Sequence, residues 1–214
     1  EREPDKLAML HISKDKVERR FTFKDIKKAS AQCANYFASL GIKKGDRVML
    51  VLKRHYQFWF AMIGLNKLGA IAIPAVNQLQ EHDFEYRYNA AGVSAIVCTG
   101  DGDTHTHAKS AAALAKSPVK LIMAHGKADG WLDFDRGIEE SSDTLERITS
   151  ACGQKPMIMF FTSGTTGYPR IATHSYKYAL GHYPTAKYWH NVNTNGLHFT
   201  ISDTGWGKAL WGKL

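Results

Sequence analysis

From Thr162 to Arg170 the chain reads Thr-Ser-Gly-Thr-Thr-Gly-Tyr-Pro-Arg. Thr162, Ser163, Thr165 and Thr166 offer hydroxyl donors, Gly164 and Gly167 let backbone N–H groups come close to a ligand, and Arg170 supplies charge after Tyr168 and Pro169. That set of groups suits a loop that wraps an anion, above all phosphate oxygens. It is not the Walker arrangement, since no G-x-x-x-x-G-K-[ST] can be aligned on it. A surface Ser/Thr/Gly turn is the plainer reading of the same composition. Two further sets of residues invite chemistry. His105, His107 and His125 suggest a metal cluster, but no Cys or carboxylate falls at ligand spacing, so they read as exposed loop histidines and no metal ligand is assigned. Cys33, Cys98 and Cys152 are scattered and form no C-x-x-C pair, which argues for a reducing compartment and against zinc. Cys33 lies on an apolar helix face and reads as core packing.

The elements that must position the loop follow from hydrophobic periodicity. Met157–Phe161 is a short apolar run, read as a buried strand feeding the loop. Upstream, Leu7–Ser13 and Arg19–Thr22 suggest a hairpin, and Thr22 with Asp25 opens an amphipathic helix over Phe23–Leu40 in the manner of a capping box. Arg47–Leu52 reads as a strand covered on both faces and Tyr56–Leu68 as a buried helix stopped by Gly69. Ala70–Pro74 is a strand, Gln80–Ala91 a helix ended by Gly92, and Ser94–Thr99 a strand. This alternation predicts an α/β fold with a parallel sheet and right-handed crossovers. Thr106–Lys116 is expected to be a helix, Val119–Ala124 a strand, and Trp131–Ser141 helical or irregular. Gly153–Pro156 reads as a linker. Beyond the loop, Ile171–Thr173 is expected as a strand, Ser175–Tyr188 as a helix and Leu197–Ser202 as a strand. Ligands of open α/β sheets collect at strand carboxyl ends, where these expectations put the loop.

The 214 residues suffice for one good-sized domain or two small ones. Hydrophobic content of 44% and charged content of 22% are ordinary for a globular chain, and no apolar run approaches membrane-spanning length. The terminus Glu1–Lys6 has no signal-peptide h-region. The net charge of +8 raises the question of nucleic acid. Six basic residues between 151 and 214 face only Asp203, so the excess gathers in the half with the glycine loop. No Lys/Arg cluster or aromatic nucleic-acid pattern accompanies it, and nucleic acid is not expected as a partner.

The order of residues in the loop closely resembles the signature of the adenylate-forming enzymes, T-S-G-[ST]-T-G-x-P-K, a group that includes acyl-CoA synthetases, luciferases and peptide-synthetase adenylation domains. Its one departure is Arg170 in place of lysine. Ser202-Asp203-Thr204-Gly205-Trp206 resembles a segment of the medium-chain acyl-CoA synthetase branch, and Gly45–Val48, Phe58–Gly69 and Ile73-Pro74 are similar to its amino-terminal region. The resemblance implies flavodoxin-like layers of the amino-terminal domain, and a reaction in which a carboxylic acid attacks ATP to give an acyl-adenylate and then passes to CoA. It implies ATP, CoA and Mg2+ as companions. It assigns ATP-phosphate binding to Thr162–Arg170, with Thr165 and Arg170 catalytic and Thr165 and Thr166 touching phosphate or magnesium. Trp206 becomes a wall of the acyl pocket, with a packed structural tryptophan as the alternative, and Gln78 a CoA contact.

Arg170 retains positive charge but is larger and forked. The family's Y-G-x-T-E segment, its ribose-binding aspartate and its mobile carboxy-terminal domain have no match in these residues. The chain therefore reads as a truncated piece of a synthetase, inactive alone, with residues 1–154 a first α/β subdomain and 155–214 the start of the ATP-binding region. Apolar surface around Trp206, Ala209, Leu210 and Trp211 and an orphan strand edge lead to an expectation of self-association. The compartment expected is the cytoplasm, or the mitochondrial matrix if a transit peptide has been removed. The competing classes are a free-standing phosphate- or nucleotide-binding module and a basic interaction protein without catalysis.

Overall fold

A computed structural model describes residues 3–146, 152–163, 167–193 and 196–211. The chain opens with an antiparallel hairpin, β1 (Leu7–Ile12) and β2 (Glu18–Thr22). Helix α1 (Phe23–Ser39) starts directly after it. The Thr22 hydroxyl accepts the Asp25 N–H at 3.1 Å while the Asp25 carboxylate accepts the Thr22 N–H at 2.8 Å, a reciprocal cap for two otherwise orphaned donors.

Alternating elements follow: β3 (Arg47–Val51), α2 (Gln57–Leu68), β4 (Ile71–Pro74), α3 (Glu81–Ala91), β5 (Val93–Thr99), α4 (Thr104–Leu114), β6 (Lys120–Ala124), β7 (Leu132–Asp133) and α5 (Phe134–Glu139). Beyond them come β8 (Pro156–Thr162), β9 (Arg170–Ser175), α6 (Lys177–Pro184) and α7 (Gly207–Trp211). One seven-stranded sheet has the order β7-β6-β5-β3-β4-β8-β9. Its first five parallel strands, numbered from β3, stand in the order 2-1-3-4-5 of the flavodoxin-like sheet. β8 joins the open side of β4 in parallel, and β9 turns back antiparallel beside it.

The sheet is a central layer. Val48 and Leu50 point into a core with Phe37 of α1, Phe58 and Leu65 of α2 and Phe134 of α5. Met49, Val51 and Ile73 point the other way, toward Phe84 and Tyr88 of α3 and Ala108 and Ala111 of α4. This period-two split is why the strands read as continuous apolar runs. Each buried Val, Leu, Ile, Met or Phe among them contributes roughly 1.5–3 kcal/mol. Helices α1 and α2 approach closely at Gly64, where a Cβ would fall 2.6 Å from the Cβ of Cys33. Cys33 and Cys98 are both buried, and burial pushes the Cys98 thiol up to about 12 and raises that of Cys33, so both are packing groups.

Three expectations change. Residues 197–202 form irregular backbone, with Phe199 and Ile201 exposed. Helix α6 stops at Pro184, and a single π turn carries the chain to Trp189. Of the expected apolar patch, Ala209 and Leu210 are buried while Trp206 stays exposed, and further exposed aromatics lie earlier, at Tyr188, Trp189 and Phe199.

Candidate functional site

The glycine loop connects β8 to β9, with Thr162 and Arg170 as facing partners across the antiparallel pair. The Thr162 hydroxyl donates to the Arg170 carbonyl at 3.3 Å, closing the neck of the loop. Because β8 runs parallel to β4, the loop emerges at the carboxyl end of the parallel strands. It leads into a strand, so its donors are loop N–H groups and hydroxyls rather than a helix N-terminus. Gly167 has φ of +94°, a left-handed conformation that favours glycine.

Helix α3 pins the far limb of this loop. The Tyr168 ring stacks on Tyr86 with centroids 4.7 Å apart, and the Tyr86 hydroxyl donates to the Pro169 carbonyl at 2.9 Å. The Arg87 guanidinium lies over the Phe161 ring on β8, 5.2 Å from its centroid, and is itself held by Asp83 at 3.3 Å. In sequence this segment reads only as a helix ended by Gly92; the structure shows its Tyr86 facing the loop. Arg170 is exposed, and among the described residues no carboxylate pairs with it. Gly164, Thr165 and Thr166, which include the expected catalytic threonine, lie outside the described residues.

The Asp203–Trp206 turn meets the same end of the sheet. The Asp203 carboxylate accepts the Gly205 N–H at 2.8 Å, and the Trp206 N–H donates to the Asp203 carbonyl at 3.0 Å. The Thr204 hydroxyl donates to the Lys53 carbonyl just past β3. Gly205 presses on the backbone just past β4, where an added Cβ would fall 2.6 Å from the Ala75 carbonyl oxygen. Trp206 is 62% exposed, so it is not packed as a structural tryptophan among the described residues. Gln78 is exposed on the β4–α3 connection, three residues past Ala75. The glycine loop, the 203–206 turn and Gln78 thus share one end of one sheet, though they come from separate parts of the chain.

The model of the family described as "AMP-binding enzyme" matches residues 1–204. The chain belongs to that family. Among curated members, a human mitochondrial acyl-coenzyme A synthetase, ACSM5, is 30% identical over 210 residues, covering 97% of this chain and 36% of its own length. Human ACSM2A, also mitochondrial, is 33% identical over 193 residues, covering 88% of this chain and 33% of its own. The chain therefore spans about a third of the length of these relatives. Two solved structures share the fold: Brucella canis acyl-CoA synthetase, with TM-score 0.81, 24% identity and coverage of 97% of this chain and 37% of that one, and the anthranilate CoA ligase AuaEII bound to anthranoyl-AMP, with TM-score 0.79 and 24% identity over 99% and 41%. Membership in the AMP-binding enzymes disfavours a free-standing binding module or a basic interaction protein. No described helix is long and apolar enough to cross a membrane.

The histidines divide differently from the sequence reading. His105 and His107 sit half-buried on α4, with His105 edge-on to Trp131. His125 instead stacks on His55 at 4.0 Å, and both approach Asp101. Burial lowers the His55 pKa against the opposing pull of the Asp101 hydrogen bond. Burial acts to raise Asp101, but the His55 hydrogen bond and nearby positive charge together hold its carboxyl below the usual range.

Proposed function

We propose that this chain is the amino-terminal α/β portion of an AMP-forming acyl-CoA synthetase. Its glycine loop holds the β- and γ-phosphates of ATP while a carboxylic acid attacks the α-phosphate. The carboxylate oxygen–phosphorus bond forms as the bond to pyrophosphate breaks; CoA thiolate then displaces AMP from the acyl carbon. The observation that carries this reading is the placement of the β8–β9 loop and the 203–206 turn at the carboxyl end of the same sheet. The exposed Arg170 guanidinium can clasp two phosphate oxygens, while Ser163 and the Thr165 and Thr166 hydroxyls add neutral donors. These groups stabilise charge as it moves onto pyrophosphate.

The loop carries hydroxyls, N–H groups and a guanidinium but no carboxylate. That donor set fits phosphate oxygens directly, and a magnesium ion would arrive on the triphosphate and neutralise part of its charge. Exposed Trp206 would form a wall for the acyl group, and Gln78 would face CoA at the sheet end. Residues 1–154 would act as the layer that positions this edge, and residues 155–214 as the beginning of the nucleotide region. A mitochondrial compartment is the one this reading favours, in keeping with the relatives' names.

The test is to incubate the full-length polypeptide with ATP, CoA and a panel of carboxylic acids. Acid-dependent release of AMP and pyrophosphate with formation of a thioester is expected. Release of ADP and phosphate, or turnover indifferent to the acid, would overturn the assignment.

A further inference from the structure

We propose that His55, Asp101 and His125 form a binding site for a borderline divalent transition-metal ion of the zinc type, separate from the glycine loop. His55 Nε2 lies 2.9 Å from Asp101 Oδ2, and His125 Nε2 lies 3.7 Å from Asp101 Oδ1. One ligand atom from each residue can be chosen so that all three fall within 4.8 Å of one another. Nitrogen and oxygen ligands around one tetrahedral zinc stand roughly 3.3 Å apart at bonds of about 2.0–2.1 Å. The two observed separations straddle that value, so small side-chain rotations complete the set. Two imidazoles and one carboxylate leave a fourth position open, and all three side chains have some exposure, from 16% at His55 to 51% at His125.

The surrounding backbone has the form of a built site. The three residues follow the carboxyl ends of β3, β5 and β6, and β3 and β5 flank the point where strand order reverses in this sheet. That crevice is the general ligand position of open α/β folds. His125 has φ of +56° and Lys53 φ of +49°, both left-handed and both non-glycine. Such conformations cost of order 1–3 kcal/mol and persist where the surroundings impose them. Gly100 and Gly126 let the ends of β5 and β6 touch, for a Cβ on Gly100 would fall 2.9 Å from the His125 carbonyl oxygen. Asp135 accepts the His125 N–H at 3.1 Å and the Gln57 amide at 3.0 Å, fixing the His125 backbone without occupying its ring. Lys53 Nζ, 3.8 Å from Asp101, is the competing partner that the ion would displace.

The test is zinc titration of the full-length polypeptide without nucleotide, by calorimetry and chelator competition, with Co2+ absorption as a second probe. His55→Gln and His125→Asn remove the rings, and asparagine tolerates the left-handed backbone at 125. Wild type is expected to bind one equivalent more Zn2+ than the double variant and to show a tetrahedral Co2+ spectrum. Each single variant should lose at least about tenfold in affinity. Zinc should raise the melting temperature of wild type and not that of the double variant, whose circular dichroism should match wild type. Equal stoichiometry and affinity in wild type and a folded double variant would overturn the site.

Discussion

Tyr86 offers the sharpest way to ask whether the β8–β9 loop is working machinery. Its ring stacks on Tyr168 and its hydroxyl donates to the Pro169 carbonyl at 2.9 Å, so it holds the limb of the loop that ends in Arg170. In the full-length enzyme, Tyr86→Phe keeps the stack and removes the hydrogen bond, worth about 1 kcal/mol or roughly fivefold. Tyr86→Ala also removes the stack, worth about 0.5–1.5 kcal/mol more, for a combined loss of roughly 10- to 70-fold. If phosphate binding needs the ordered loop, these losses appear in kcat/KM for ATP, measured by acid-dependent ATP–pyrophosphate exchange. Tyr88→Phe is the control. Tyr88 is buried and donates to the Ala108 carbonyl at 3.2 Å, so its loss should lower stability by about 1 kcal/mol and leave the ATP kinetics alone. Tyr86→Ala with kcat/KM for ATP within about twofold of wild type would refute the claim that this contact orders a phosphate-binding loop.

Four further outcomes are expected. Arg170→Ala should lower pyrophosphate exchange by about 10²-fold while Arg170→Lys stays close to wild type; an unchanged Arg170→Ala rate would show that the loop does not use that cation. Gly205→Ala should force the 203–206 turn away from Ala75 by roughly 1 Å, and should damage exchange far more than it lowers the melting temperature. Gly137→Ala should destabilise by about 1–3 kcal/mol in urea melts, because the new Cβ would meet the buried Tyr36 ring, 2.7 Å from Cδ2 and nearer to its outer atoms. A gain in stability there, normal for Gly→Ala within a helix, would show that the Tyr36 ring yields. Residues 1–214 alone should self-associate, since Leu180, Tyr188, Trp189, Phe199 and Ile201 are each more than 70% exposed; a sharp monomer peak by light scattering with no binding of a hydrophobic dye would contradict this.

Where neighbours in sequence settle the outcome, the sequence alone was enough. Thr22 and Asp25 cap α1 reciprocally, as their three-residue spacing requires. Gly69 and Gly92 end their helices at φ of +80° and +58°, values glycine reaches without the cost a Cβ would add. The apolar run of β3 announced a strand covered on both faces, and the helices between the strands required parallel pairing. The loop Thr162–Arg170 was visible because its residue types are contiguous. The segment 197–202 misled because strand propensity is realised only against a partner, and no described strand pairs with it.

Contacts between strand ends were hidden for a topological reason. β3 is followed in sequence by α2 and β4, yet one of its sheet neighbours is β5, reached only after the order reverses. His55 and Asp101 are 46 positions apart and become hydrogen-bonded through that reversal. His125 joins them because β6 extends the sheet beyond β5. Local spacing groups His105 and His107 with His125, but α4 carries the first two apart from it, His105 against Trp131. The same topology brings Lys53 under Thr204, 151 positions later, so the backbone just past β3 meets the 203–206 turn while its side chains reach the histidine cluster. An ion held by His55 would therefore restrain the peptide segment on which that turn rests. Bound there, it would link the metal site to the placement of Trp206 through Lys53, so zinc should change acid-dependent exchange in wild type beyond the change that zinc–ATP formation causes in the His55→Gln/His125→Asn variant; equal changes in the two would break that link.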